Sequence, residues 1–289
     1  MKTRLFILFI IINSIVFSQA NTEVDLRWKL NKGDTVSYIT IMQEIDTLEM
    51  TLDDDLLFTE LSEISTGIEG KLDEFIELLR GSLQNFNLET IIYNEGENYH
   101  KVEMINTPEP DETDDSNDSE FEGIMKTMMT GVMLRGSVYE NGEIHSFWVK
   151  TEQYNLLAML CELPAKPVQP GDIWSLDVKL INNDQNFDCD SSYKINQVEL
   201  TSVDVENNDT IATLEYNIAE YVSGVFSVPS FTGKSPKKKK TTLYVSLHAV
   251  ARFSVSKGYW IYYDGVLSTK MTGISNTNGS QKLSLILKQ

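Results

Sequence analysis

Three histidines, two cysteines and the Ser-x-x-Lys tetrad at residues 254–257 are the residues best suited to acid–base, metal or nucleophilic chemistry. His100, His145 and His248 lie far apart in the chain. They sit outside H-E-x-x-H and every other metal-spaced cluster, so a histidine site would need the fold to unite them. Ser254-Val255-Ser256-Lys257 satisfies S-x-x-K. That motif works at the start of a helix, where serine and lysine share a face, and here the tetrad straddles a strand end and a turn. The chain contains no P-loop, no G-x-S-x-G elbow and no dinucleotide fingerprint. No cofactor is therefore expected.

Cys161 and Cys189 lack the C-x-x-C spacing of redox catalysts. In an oxidising compartment they could join, a bond worth ~3–4 kcal/mol in the chain-entropy account. Alternatively, Cys161 is a buried helix residue and Cys189 a free turn residue. Carboxylates concentrate in residues 107–122, TPEPDETDDSNDSEFE, which hold eight acids and no base. This stretch fails as an EF-hand, because Ser119 stands where the turn needs glycine after Asp114, Ser116 and Asp118. It reads as a solvated loop.

The charge balance narrows the possible partners. The chain has 43 acidic and 24 basic residues, a formal net charge of −19, which disfavours nucleic acid and anionic lipid as ligands. The opposite sign appears in Lys234-Ser-Pro-Lys-Lys-Lys-Lys240, read as a solvated loop tip with docking to an anionic envelope component as the sharper alternative. At the N-terminus Lys2 and Arg4 precede an apolar run, with Ser18 and Ala20 as small residues before a polar start. Residues 1–20 thus read as a secretory signal peptide. No cysteine lies near the expected cut, so a lipoprotein is not expected, and no later segment is apolar enough to span a bilayer.

The elements that would position any site are mostly strands. From Leu243 to Val255 apolar residues alternate with Tyr244, Ser246, His248, Arg252 and Ser254, a period of two that predicts an antiparallel strand with one buried face. Strands are also expected near residues 24–30, 35–50, 88–93, 99–105, 193–205, 212–218, 259–267 and 282–287. Three segments carry helical spacing. Leu72, Phe75, Ile76, Leu79 and Leu83 form one apolar face; Tyr154, Leu157 and Cys161 with Leu156 and Leu160 form another, ended by Leu163-Pro164. In the third, Ile124, Met125, Met128, Met129, Val132 and Met133 make a methionine-rich stripe. It could cover a hydrophobic ligand, and ordinary core packing explains it equally.

One phrase recurs. Lys32-Gly33-Asp34 and Pro170-Gly171-Asp172 each place a turn before residues of strand character, the second ending on Trp174 as a core anchor. Downstream of each lies a glycine turn between apolar alternations, at Asn141-Gly142 and Lys257-Gly258. The fold expected is mainly β (α+β): two related antiparallel β-rich halves, residues 21–163 and 164–289, with a few amphipathic helices packed against the sheets.

Together, WKLNKGDTVSY, GSVYENGEI, ELPAKPVQPGDIWSLDV and FSVSKGYW resemble a family of uncharacterised secreted proteins found mainly in Bacteroidota. The likeness covers most of the chain beyond the leader and is most specific at Leu163-Pro164, Lys166-Pro167-Val168 and Gly171-Asp172-Ile173-Trp174. It implies export into or beyond the periplasm and a β-rich fold, and carries over no catalytic residues. The acidic loop and the lysine run depart from the family pattern. The function expected is that of a noncatalytic periplasmic or secreted binding protein, with a hydrophobic small molecule or an envelope protein as partner. A structural or assembly factor of the envelope is the alternative, and a hydrolase whose carboxylates meet only in the fold comes third.

Overall fold

Period-two alternation dominates the folded chain. The structure, a computed structural model, describes residues 23–45, 49–52, 88–107, 130–149, 154–181, 187–228 and 237–288. Twelve strands form one antiparallel sheet. They are β1 (Thr35–Glu44), β2 (Glu49–Leu52), β3 (Leu88–Tyr93), β4 (Tyr99–Asn106), β5 (Gly131–Tyr139), β6 (Ile144–Val149), β7 (Ile173–Trp174), β8 (Phe187–Glu206), β9 (Asp209–Val228), β10 (Lys237–Ser254), β11 (Tyr259–Thr272) and β12 (Ser275–Leu287). The order across the sheet is β6-β5-β4-β3-β1-β12-β11-β10-β9-β8-β7, with β2 pairing β12 beyond the end of β1. The last strand therefore returns to pair with the first, Tyr38 opposite Leu287, and joins the two meanders.

The inner face carries the core. Leu214, Tyr216 and Ile218 of β9 and Leu247, Ala249, Ala251 and Phe253 of β10 are buried, while Glu215, His248 and Val250 between them face outward. Against this face lies α1 (Tyr154–Cys161), where the sequence spacing places a helix. Leu156 to Cys161 are all buried, so the helix is covered on every side.

The helix is fixed at its C-terminus. The Trp28 indole N–H donates to the Cys161 carbonyl at 2.8 Å, and the Trp260 indole N–H donates to the Leu160 carbonyl at 2.6 Å. These are carbonyls that a helix end leaves without intrahelical donors. Trp28, Phe253 and Trp260 pack edge to face, with centroids 4.9–6.4 Å apart. The Tyr38 hydroxyl donates to the Trp260 carbonyl.

Both recurrent turns make one set of bonds. Gly33 and Gly171 take φ of +89° and +93°. Their N–H groups donate to the Asn94 and Leu200 carbonyls, and the Asn94 and Leu200 N–H groups donate back to the Asp34 and Asp172 carbonyls. The side chains of Asp34 and Asp172 each accept from the backbone N–H three residues earlier, Asn31 and Gln169, at 2.8 Å. The sequence phrase thus specifies a closed turn that opens a strand, β1 in one case and β7 in the other.

Several expectations are corrected. Residues 24–30 form no strand; Val24 makes a single bridge to Val168, and the segment runs on to bond Trp28 N–H to Glu140 and Lys29 N–H to Gly258. Val132 and Met133, expected on a helical stripe, belong to β5, where Val132 pairs with Ile105 and the sheet ladder overrides the helical spacing. Ile124, Met125, Met128 and Met129 lie outside the described residues, as do 1–20, 72–83 and 108–122. Lys237–Lys240 are the first residues of β10, paired with Val228–Val225, rather than a loop tip.

Glycines at the hairpin tips are constrained differently from those in the recurrent turns. A Cβ at Gly142 would overlap the Cys161 carbonyl oxygen, and one at Gly258 would overlap the Lys29 backbone nitrogen, whereas Gly33 and Gly171 face open space. Gly33→Ala and Gly171→Ala are expected to cost only the left-handed backbone penalty, ~1–2 kcal/mol. Gly142→Ala and Gly258→Ala add a backbone collision and should cost ~3 kcal/mol or more. Urea midpoints of the four variants check this, and equal losses would contradict it.

Candidate functional site

Tight turns gather at one end of the sheet: Gly33-Asp34 and the links joining β3–β4, β5–β6, β8–β9 and β10–β11, with the β11–β12 turn at the far end. The turn end is closed by the tryptophan–helix lock. A site on the inner face must therefore open at the far end.

The inner face offers little space beside the helix. Between α1 and the first strands, a void lined by Ile92, Met104, Leu134, Leu157, Leu160 and Leu285 has a volume of about 10 Å³. That holds at most one water molecule, so the helix fills the interior. Beyond the helix the apolar face continues. Ile181, Val222 and Val245 form a second buried cluster with Leu180, Phe187, Leu243 and Leu267 packed against it. Beside Leu267 lies a pocket of about 180 Å³ between Glu44, Thr269, Thr277, Gly279, Ser280 and Gln281. It occupies the gap where β12 leaves β1 and begins to pair with β2.

The strap between α1 and β8 frames this end without forming a continuous strand. Its backbone is completed by side chains: Asn196 pairs with Leu176, Glu162 accepts from Asp177 N–H, Asn155 pairs with Lys179, and Glu220 accepts from Ile181 N–H at 2.9 Å. Glu220 also pairs with Lys194 at 2.9 Å. Burial raises the Glu162 carboxyl, while the bond from Asp177 N–H works in the opposite direction. No local pattern marks this strap, because its partners lie 15 to 39 residues away.

On the outer face, a groove of about 470 Å³ crosses β8 to β11. Glu199 and Glu215 stand directly opposite each other in register, next to Val250 and near His248. They project the same way from adjacent strands, whereas a glycosidase-type pair flanks its scissile bond. Asp264 at the groove's other side is engaged by Ser284 and by Lys282, 3.1 Å away. Burial works to raise its carboxyl, but those two partners outweigh it and hold the group below the usual carboxylate range.

The sequence candidates for chemistry are dispersed or structural. His100 is buried on β4 beside Asn94, His145 sits at the outer surface at β6, and His248 faces the outer groove. Burial lowers the His100 pKa. Among the described residues no group of three or more His, Cys, Asp or Glu could hold a metal ion. Ser254 is fully buried and donates to Asp209, which Lys257 approaches to 3.8 Å, so the tetrad closes the β10–β11 turn. Trp174 is partly buried and packs against the core. No described helix is long and apolar enough to cross a membrane. Protein-family models, curated proteins and solved structures were all compared with the chain, and none matches it.

The expected alternative of a Cys161–Cys189 bond is not realised. Both thiols are free, Cys161 buried on α1 and Cys189 exposed on β8. Burial pushes the Cys161 thiol up to about 12. A native sample should therefore give one rapidly reacting thiol with a disulfide reagent and a second only on unfolding. Two rapid thiols, or none, would contradict this arrangement.

Proposed function

We propose that the chain is a noncatalytic, exported binding protein that takes an apolar ligand at the far end of its inner face. One observation carries this reading: the apolar face extends past the helix that fills the core and borders a pocket of about 180 Å³ at Leu267. The reading is supported further by where the reactive side chains sit. Ser254 and Glu220 are bonded into turns and straps, and Cys161 is buried against the core. The leader-like residues 1–20 and the resemblance to exported proteins of Bacteroidota support placement outside the cytoplasm. The matching Gly-Asp turns support two related halves.

A pocket of this size accommodates part of an acyl chain. Burying roughly six methylenes at about 0.8 kcal/mol each gives a dissociation constant of about 300 µM. Titration with cis-parinaric acid, read by its fluorescence, should saturate in that range. Thr269→Phe, which fills the pocket from the inner face, should weaken binding roughly tenfold, while Glu215→Gln on the outer face leaves it unchanged. Absence of saturable binding, or equal loss in both variants, would reject the reading.

A further inference from the structure

Like the Tyr193–Tyr221 row on β8 and β9, the outer face of β3–β6 carries a ring-bearing surface. Register places three rows of side chains on it: Tyr99 and Tyr139; Tyr93, Lys101, Ser137 and Ser146; and Glu103, Arg135 and Trp148. His145 joins the first row, stacked on Tyr99 with centroids 4.8 Å apart and bonded through Nδ1 to the Tyr139 hydroxyl at 2.8 Å. The Ser137 and Ser146 hydroxyls bond each other at 2.7 Å in the centre. Trp148 is 54% exposed on the terminal strand of the sheet. Rings thus surround a polar centre.

The charges on this face are matched locally. Arg135 pairs with Glu103 at 2.7 Å, and Lys101 pairs with Glu95. The face therefore presents donors and acceptors with no excess of either sign, on a chain whose net charge of −19 repels phosphates. At its lower edge it continues into a groove of about 480 Å³ lined by Arg27, Asn98, Tyr139, Glu140, Asn141 and Glu143, with Tyr139 shared between face and groove. An uncharged ligand fits this combination when it offers flat C–H surfaces to stack on rings and many hydroxyls for amide, carboxylate and guanidinium groups.

We propose that the outer face of β3–β6, with Trp148, Tyr139 and His145 as its rings and the Asn98–Asn141 groove as its polar end, binds a neutral oligosaccharide. Stacking on Trp148 and Tyr139 supplies affinity, and the paired Arg135–Glu103 and the groove amides fix the hydroxyls. The site is separate from the apolar pocket on the opposite face and works without it.

The test titrates the full-length chain with cellohexaose, xylohexaose, mannohexaose and chitotetraose, following the indole N–H signals by NMR. At least one sugar should shift the Trp148 signal saturably at up to about 10 mM, leaving those of Trp28 and Trp260 in place. Trp148→Ala and Tyr139→Ala should each weaken that binding roughly tenfold or more, and Thr269→Phe should leave it unchanged. The wild-type shifts keep the test decisive even if a variant folds poorly. Absence of any saturable shift with all four sugars overturns the proposal, as does binding that Trp148→Ala leaves intact. Concentration-dependent self-association lost in Trp148→Ala, without sugar binding, would assign the face to a second copy of the chain and overturn it equally.

Discussion

Two indole N–H groups hold the structure together. A helix leaves its last carbonyls without intrahelical donors, and burying them unpaired would cost ~1–3 kcal/mol each. In α1 the Leu160 and Cys161 carbonyls are satisfied by Trp260 and Trp28, which arrive from opposite ends of the chain. Trp28 is itself placed by backbone bonds from its segment to both hairpin tips, at Glu140 and Gly258. Trp260 is placed by Phe253 and Tyr38. The helix, both meanders and the N-terminal segment therefore share one knot, and the glycines at the tips are what allow the chains to approach it.

This constraint divides the molecule. Near the knot every element is pinned, and the interior is packed to a void of about 10 Å³. Away from it the strands run past the helix, and side chains rather than a sheet ladder complete the strap along β8. Among the described residues, uncovered surface lies at the far end of the inner face and on the outer faces, where binding sites belong. Rings and matched charges occur on both outer faces, and the one across β8–β11 also sets Glu199 opposite Glu215.

How much of this was legible in the sequence follows from the range of each interaction. The alternation from Leu243 to Val255 declares its strand because its buried face repeats every second residue. The Gly-Asp turns were legible for the same reason: glycine permits the backbone and aspartate closes the turn within three residues. Val132 and Met133 misled because a short apolar run fits both periods, and only pairing with β4 decides between them. The strand character of Lys237–Lys240 was hidden by charge, since β-pairing with β9 needs only the backbone. Neither the tryptophan lock nor the ring-bearing outer face was visible, because Trp28 meets Cys161 across 133 residues and Arg135 meets Glu103 across 32.

The two tryptophans lock helix and sheet into one cooperative unit. Hydrogen exchange of the Trp28 and Trp260 indole N–H groups, followed by NMR as a function of denaturant, tests it most directly. The account predicts that both exchange only through global unfolding, with equal free energies and equal denaturant dependence. Exchange of either one through a local opening some 2 kcal/mol or more below the global value would show that the halves open independently and would contradict it.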